Sequence, residues 1–587
     1  MKFNKSFLSM LAIAAVVVAC EKPAPTPDDP TQDPTETPSE PEEPEVTEDG
    51  TEAHPYLLKT TDDLAAMREK ALPGTETWFR LENDIDMTGV TNWTPINCGD
   101  VTGEGEAAVT KFERKINFDG NGKTISNFAP ATYMIDKLTE ASYPSFFGVL
   151  YGTCKNLTIT NASIADAKTA SGILAGFVGT QDGEVKMPGV VTNVSVQGTI
   201  TAGIDKIGGM AGSAYNATFE NCNVDVVITT TSTDVGGLVG KAVGDLVCSG
   251  CNVKANITSS AASKNRVGGL IGWNSTVTTT ITNCHVLEGS VLTDASNRAS
   301  ASNGNYGGLI GFGDTTGTVL TISESSATTV IEGGLGTYNA GFIGGLGYAS
   351  TAVITDSWAK GSVVGDNYAG GFCGAVQNKS TIERCWADVE VSSTGQRSGS
   401  FIGTNTDVIV VKNCYSLGNA TGVGQQISGL IGYDKVGATI ECCYAAGDIT
   451  SDKSGSAGLV GTMDGETSSV VKCIAWNKNI VCNRTANNAW APGAIVGSVT
   501  KAKGKYADCY RRADMVLTDL AENGMTLFDQ ENVEGALPAA PSYSEATTQR
   551  AYHGKAAAAG ATISSVAKQL GWDETIWDLS KDVPVLK

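Results

Sequence analysis

Apolar and polar residues alternate along most of this chain. Cys222, Val224, Val226 and Ile228 fall on one face of a two-residue period, and so do Cys443, Ala445, Gly447 and Ile449. A period of two predicts β-strand. Between about residue 145 and residue 510 no helical stripe of ten or more residues interrupts the alternation. The strands are punctuated by a recurring glycine unit. It reads Gly236-Gly237-Leu238-Val239-Gly240, Gly268-Gly269-Leu270-Ile271-Gly272 and Gly307-Gly308-Leu309-Ile310-Gly311, with looser copies closing at Gly148, Gly179, Gly212, Gly344, Gly374, Gly403, Gly432, Gly461 and Gly497. Successive closing glycines lie 28 to 39 residues apart. Self-similarity at that period marks a solenoid, whereas propeller blades of four strands need 40 or more residues.

Each glycine unit is followed by a second signature. Examples are Asn221-Cys222-Asn223-Val224, Gly250-Cys251-Asn252-Val253, Asn283-Cys284-His285-Val286, Asn413-Cys414-Tyr415-Ser416 and Lys472-Cys473-Ile474-Ala475. Ser325 and Ser357 take the cysteine position in two copies, and Cys154 is read as an earlier member. A coil of about 30 residues cannot bury its own apolar face, but coils stacked about 4.8 Å apart can. The expected fold is all-β, a right-handed parallel β-helix or β-solenoid of about twelve coils, with short capping helices at its ends. Twelve coils at that spacing would extend about 55–60 Å. Residues 51–144 are expected to form an N-terminal cap and the first coils, residues 145–510 the repeats, and residues 511–587 a C-terminal cap.

The Gly-Leu-(Val/Ile)-Gly unit followed by an Asn-Cys strand resembles the GLUG repeat of bacterial surface proteins. That repeat occurs in adhesin-like proteins and in some IgA-specific metallopeptidases. The resemblance runs from about Ser145 to Tyr510. Trp78 to Met87 and Phe118 to Ile125 resemble the lead-in of such proteins, and Leu570-Gly571-Trp572-Asp573 through Trp577 to Leu586 their ending. The resemblance implies a β-solenoid at the cell surface and no particular activity.

The ends of the chain add detail. Lys2 and Lys5 precede a short apolar run from Phe7 to Val18, too short to span a bilayer. Val17-Val18-Ala19-Cys20 resembles a lipobox, so residues 1–20 are expected to be a lipoprotein signal and Cys20 the acylated N-terminus. Several acyl chains on one cysteine anchor stably. Residues 21–50 carry eight prolines and eleven acidic residues against one lysine, which predicts a disordered, self-repelling tether. Acidic residues after a lipidated cysteine resemble the surface-export signal of Bacteroidota lipoproteins. The implied location is the outer membrane, lipid-anchored and facing the exterior. A helix is expected from Thr60 to Leu72 with Thr61 as N-cap, and a second from Thr562 to Leu570. Trp572, Trp577, Val585 and Leu586 are expected to close the far end of the stack.

Charge and chemistry narrow the function. The formal charge is −22; the tether supplies −10 (one lysine against eleven acids), which leaves −12 elsewhere. That excess disfavours nucleic acid, whose binding rests on neutralised phosphates. The fifteen cysteines include the repeat series, read as a buried column of unbridged thiols because parallel side chains suit the disulfide dihedral badly. The three histidines, His54, His285 and His553, form no His-Glu-x-x-His, so the peptidase element of the family relatives is absent. Cys248 and Cys251 lack the partners a redox or zinc site needs, and no metal or cofactor is expected. Asp356, Glu383, Arg384, Asp388 and Asp448 are the acid–base candidates for a polysaccharide lyase or hydrolase, but they are scattered. Asp84 and Asp86 are read as turn caps. The better clue is aromatic. Trp358, Trp386, Tyr415 and Tyr444 each follow the cysteine position and should point outward, aligned coil over coil. Such a ladder could, if exposed, stack on sugars or anchor a protein partner; equally, loops could cover it, or it could merely stiffen the sheet through side-chain pairing. The function expected is non-catalytic, adhesin-like binding of glycans or host and matrix proteins. A polysaccharide-degrading enzyme is the alternative.

Overall fold

A computed structural model of the chain describes residues 48–587, apart from residues 92, 98–99, 103–108, 112–113, 131–143, 168–169, 183, 204–205, 263–264, 276–277, 297–303, 315–318, 334–335, 348–350, 485–491, 500–503, 522–526 and 535–550. Cys20, the leader and nearly all of the tether lie outside the described residues. Among the described residues no helix is long and apolar enough to cross a membrane.

The glycine units stack. Twelve strands, from Phe147–Leu150 through Val239–Ser249 and Ile431–Asp434 to Val496–Val499, pair in parallel and in register, bounding eleven turns of a parallel β-solenoid. The residue directly after each glycine pair, or after its looser equivalent, points into the core. Leu238, Leu270, Leu309, Phe342, Phe372, Phe401, Leu430, Leu459 and Ile495 are all fully buried. The phenylalanines stack at 4.6 and 4.9 Å between ring centroids. Glycine is required beside them by close approach rather than by dihedral angle. A Cβ on Gly237 would lie 2.0 Å from the Gly269 carbonyl oxygen of the next coil.

Two further parallel sheets complete each coil, and a narrower one follows the edge before each glycine pair. The corner between the second and third sheets explains the Asn-Cys signature. Asn221, Asn283, Glu324, Asp356, Arg384, Asn413, Cys442, Lys472 and Asp508 all hold φ between 51 and 54° there, and Gly250 holds 65°. Asparagine and glycine enter that left-handed region most cheaply. The next residue turns inward and donates to the carbonyl two residues back. Cys414 Sγ meets Lys412 O at 3.1 Å, and Ser325 Oγ meets Ser323 O at 2.8 Å. The same atoms accept backbone N–H groups from the preceding coil, Cys284 N on Ser325 Oγ at 3.1 Å and Cys414 N on Cys443 Sγ at 3.4 Å. A thiol or a hydroxyl satisfies both bonds, which is why serine replaces cysteine here.

The thirteen described cysteines are buried and unbridged. Burial pushes the Cys414, Cys443, Cys473 and Cys509 thiols well up. Cys154 does not belong to this column. It pairs with Phe118 and Val191, one column away, and Leu157 and Val194 hold the position instead. Cys248 shares that neighbouring column, pairing with Phe219 and Ile281.

Helix α1 spans Thr61–Lys70, and its Leu64 and Met67 join the main core. The cap is Thr60, one residue earlier than expected, because Asp63 completes a reciprocal capping box with it. At the other end Lys555–Ala556 adds a parallel strand beside Tyr510–Arg511, and Tyr552 packs on Tyr506 at 5.7 Å. Helix α2, Ile563–Gln569, begins at Thr562 as expected. The segment that follows does not close the far end. Trp572, Trp577 and Leu579 fold back along the outside of the third sheet and make a second apolar cluster with Tyr415, Tyr444 and Ile474. The end itself is closed by Tyr552, buried His553 and Arg511, which bonds the Gly554 carbonyl at 2.9 Å and Asp529 at 2.9 Å.

Candidate binding faces

The aromatic ladder exists. Trp358, Trp386, Tyr415 and Tyr444 occupy one register position in four successive coils. Their centroids lie 5.1, 5.6 and 4.8 Å apart, with interplanar angles of 12, 3 and 4°. Rings this parallel turn their faces on one another and their edges outward. Lys360 Nζ lies over the two tryptophans, at 5.4 and 5.3 Å from their centroids.

Exposure divides the ladder. Trp358 and Trp386 are half-buried, but Tyr415 is 4% exposed and Tyr444 is fully buried. The expected outward direction holds for both tyrosines, and of the two alternatives for the ladder, exposed or covered, the covered one holds for them. Their cover is the C-terminal segment. Trp577 packs at 6.0 and 6.1 Å from the two rings, and its Nε1 donates to Asn413 Oδ1 at 3.2 Å. The Tyr444 hydroxyl donates to the Pro584 carbonyl at 2.8 Å, and Trp572 Nε1 to the Lys472 carbonyl at 2.9 Å. Burial pushes both phenols well above the usual tyrosine range.

The acid–base candidates are tied into the coil stack. Arg384 grips Asp356 with two bonds of 2.6 and 2.8 Å and also reaches Glu383 at 3.2 Å. The guanidinium bond holds the Asp356 carboxyl below its ordinary value. Asp448 accepts from the Asn479 backbone at 2.9 Å and its side chain at 2.7 Å. Asp388 is exposed. Asp86 caps its own turn as expected, accepting from Thr88 N at 2.9 Å, whereas Asp84 bonds to the next coil, accepting from Thr124 N at 2.7 Å. His285 is half-buried between Ser326 Oγ at 2.8 Å and Asn283 Oδ1 at 3.0 Å. No group of three potential metal ligands occurs among the described residues.

A second outward strip was missed in the sequence. It flanks the glycine units on both sides. Lys206, Asp234, Arg266, Asn305 and Tyr338 stack one per coil two residues before the glycine pairs. Lys241, Trp273 and Phe312 stack directly after the closing glycines. Arg266 lies 3.5 Å and Lys241 3.8 Å from the Trp273 ring centroid. Arg266 Nε donates to Asp234 Oδ1 at 2.6 Å. Burial raises the Asp234 carboxyl, against the pull of Arg266, Lys241 and Lys206. Farther along, Tyr338 and Tyr368 meet at 5.4 Å with a 49° tilt, and Arg397 lies over Tyr368 and Tyr433. The residues after Gly240, Gly272 and Gly311 read Lys, Trp and Phe, but after most other closing glycines they are small, so no repeat announced the strip.

No family model matches the chain. Halomucin of Haloquadratum walsbyi is 30% identical over 187 residues, which is 32% of this chain and 2% of that protein. A provisionally named Gly-rich membrane protein of Evansella cellulosilytica is 31% identical over 156 residues, 25% of this chain and 15% of that protein. The chain thus matches a small part of either relative's length. Among solved structures, a Bacteroides ovatus protein provisionally described as an immunoglobulin A1 protease aligns over 92% of this chain and 94% of its own. Its identity is 18% and its TM-score 0.24, a likeness too loose to carry an argument about activity.

Proposed function

We propose that this chain is a surface-anchored lipoprotein of the GLUG-repeat type, with a non-catalytic, adhesin-like binding role. Cys20 would carry the lipid, insert in the outer membrane and hold the solenoid outside the cell. The solenoid would meet glycans or host and matrix proteins through its outer face, and not nucleic acid. One observation carries this reading: the solenoid repeats outward aromatic side chains coil after coil on two separate edges, with Trp358, Trp386, Tyr338 and Tyr368 all partly accessible. Repeated modest contacts along a repetitive face add up to firm retention. The name of the Evansella relative, a membrane protein, agrees with a surface location. The carboxylates a hydrolase or lyase would need are engaged in bonds between coils at Asp356 and Asp448.

Passing a panel of neutral and acidic glycans and matrix proteins over the immobilised whole chain tests the reading. Intact ligand retained by the wild type and lost in a Trp358→Ala/Trp386→Ala variant of unchanged fold supports it. Shortened glycan in the effluent would replace it with the enzyme.

A further inference from the structure

We propose that Lys206, Lys241 and Arg266, gathered around Asp234 and Trp273 on the glycine-side edge, form a binding site for an anionic saccharide, a sugar bearing a carboxylate or a sulfate. The inference rests on the binding role proposed above and names the ligand class for a different edge of the same solenoid.

Among the described residues three cations gather around one carboxylate, on a chain whose formal charge is −22. The register makes the convergence: Lys206, Asp234 and Arg266 stack in three coils, and Lys241 and Trp273 stack in the adjoining strands. The carboxylate is the buried member, at 3% exposure, while Lys206, Lys241 and Arg266 are only half-buried. The positive groups therefore meet solvent and the negative one does not. Two polar atoms beside them have no hydrogen-bond partner among the described residues: the Trp273 Nε1 donor, and Oδ1 of Asn305, a residue 7% exposed and next in the Asp234–Arg266 column. A buried donor and acceptor left open cost free energy unless water or a ligand satisfies them.

The aromatic neighbours point to a sugar rather than a bare anion. Phe312 follows Trp273 in the same column, and Gly345 in the next coil makes room for its ring, since a Cβ there would lie 2.9 Å from it. Tyr338 and Tyr368 continue the edge with tilted rings, so parts of their faces are turned outward. Arg397 supplies another cation four coils beyond Arg266, about 19 Å along the stack. Cations at both ends with half-buried rings between them suit an extended acidic chain laid along the coils.

The test measures binding of the whole chain to polygalacturonate, heparin and neutral amylose at low and high salt. The expected result is retention of one or both polyanions over amylose, weakened by salt as for any partly exposed charge contact. Lys206→Gln/Lys241→Gln should weaken it about tenfold. Lys379→Gln/Lys435→Gln removes the same charge elsewhere and should leave it unchanged. Polygalacturonate alone would assign a carboxylate ligand and heparin alone a sulfate. Equal weakening by both lysine pairs, or no polyanion retained, overturns the site. If a neutral glycan or a matrix protein is still retained through Trp358 and Trp386 in that case, the general binding role stands and only this inference falls.

Discussion

The column outside the cysteine position divides into two unlike halves. In the first, Thr158, Ser195, Asn223, Asn252, His285 and Ser326 stack, joined by bonds such as Asn252 Nδ2 to Asn223 Oδ1 at 3.2 Å. In the second, Trp358, Trp386, Tyr415 and Tyr444 stack, and the chain's own C-terminal segment covers the last two. The inside of the coils does not follow this division. The glycine approach, the buried Leu or Phe and the left-handed corner run through both halves. Backbone contact between coils fixes the interior, while the outward position is left to whatever must lie against it.

The largest expected effect tests whether the interior really is uniform. Gly237→Val in the first half and Gly458→Val in the second each place a side chain about where a neighbouring carbonyl sits, with Cβ at 2.0 Å from Gly269 O and 2.2 Å from Ala494 O. Each should cost more than ~4 kcal/mol, read as loss of the cooperative unfolding transition. A tolerated valine in either half would break the claim of a common interior.

Next comes the cover. Trp577→Ala should destabilise the docked segment by about 3–5 kcal/mol, the usual cost of deleting a buried tryptophan. Amide exchange should rise across residues 557–587 and stay low in the strands of the first half. Tyrosine ionisation gives a second readout. Burial raises the Tyr415 and Tyr444 phenols, so their contribution to stability is complete below about pH 10, the ordinary tyrosine value, and is lost as pH climbs past it. In the intact chain both should stay protonated above pH 10, and in Trp577→Ala they should titrate with exposed tyrosines. Two normal tyrosines in the intact chain would mean that the segment does not cover the ladder.

How much of this was legible follows from the same contrast. The glycine period, the alternation and the left-handed corner are written in residue types, because each is imposed by local backbone geometry. Cys154 misled because a column is set by coil register, and the two buried columns flanking the corner both accept cysteine. The fold-back of Trp572 and Trp577 has no repeat to announce it. Its contacts, such as Trp577 to Asn413, span 164 residues, and only the assembled face shows where it docks. The Trp273 strip is confined to Lys241, Trp273 and Phe312 among the positions after the closing glycines, so residue type alone gave it no period. Whether the ladder is covered stayed open for a similar reason: periodicity says which way Tyr444 points and nothing of what lies on it.

A smaller effect separates hydrogen bonding from packing at the cysteine position. Cys443 Sγ donates to Glu441 O at 3.2 Å and accepts Cys414 N–H at 3.4 Å. Cys443→Ser should cost about 1 kcal/mol or less, since serine makes the equivalent bonds at Ser325 and Ser357. Cys443→Ala strands a buried N–H and should cost about 1–3 kcal/mol. Equal costs in chemical denaturation would mean that the column is held by volume alone.

The smallest expected effect has the opposite sign. The left-handed corner is asparagine at residues 156, 193, 221 and 283 and glycine at 250, then turns to Glu324, Asp356 and Arg384 around the boundary between the halves before asparagine returns at 413. Asp356 and Arg384 repay the strained φ with their mutual ion pair. Glu324 is exposed at φ 51°. Glu324→Asn should therefore stabilise the chain by about 0.5–1 kcal/mol, because asparagine enters the left-handed region more readily. Thermal unfolding would register it as a small upward shift. A loss of stability would show that the glutamate makes a favourable contribution at the boundary between the two halves, and that the change of corner residue there belongs to the outer surface rather than to the backbone.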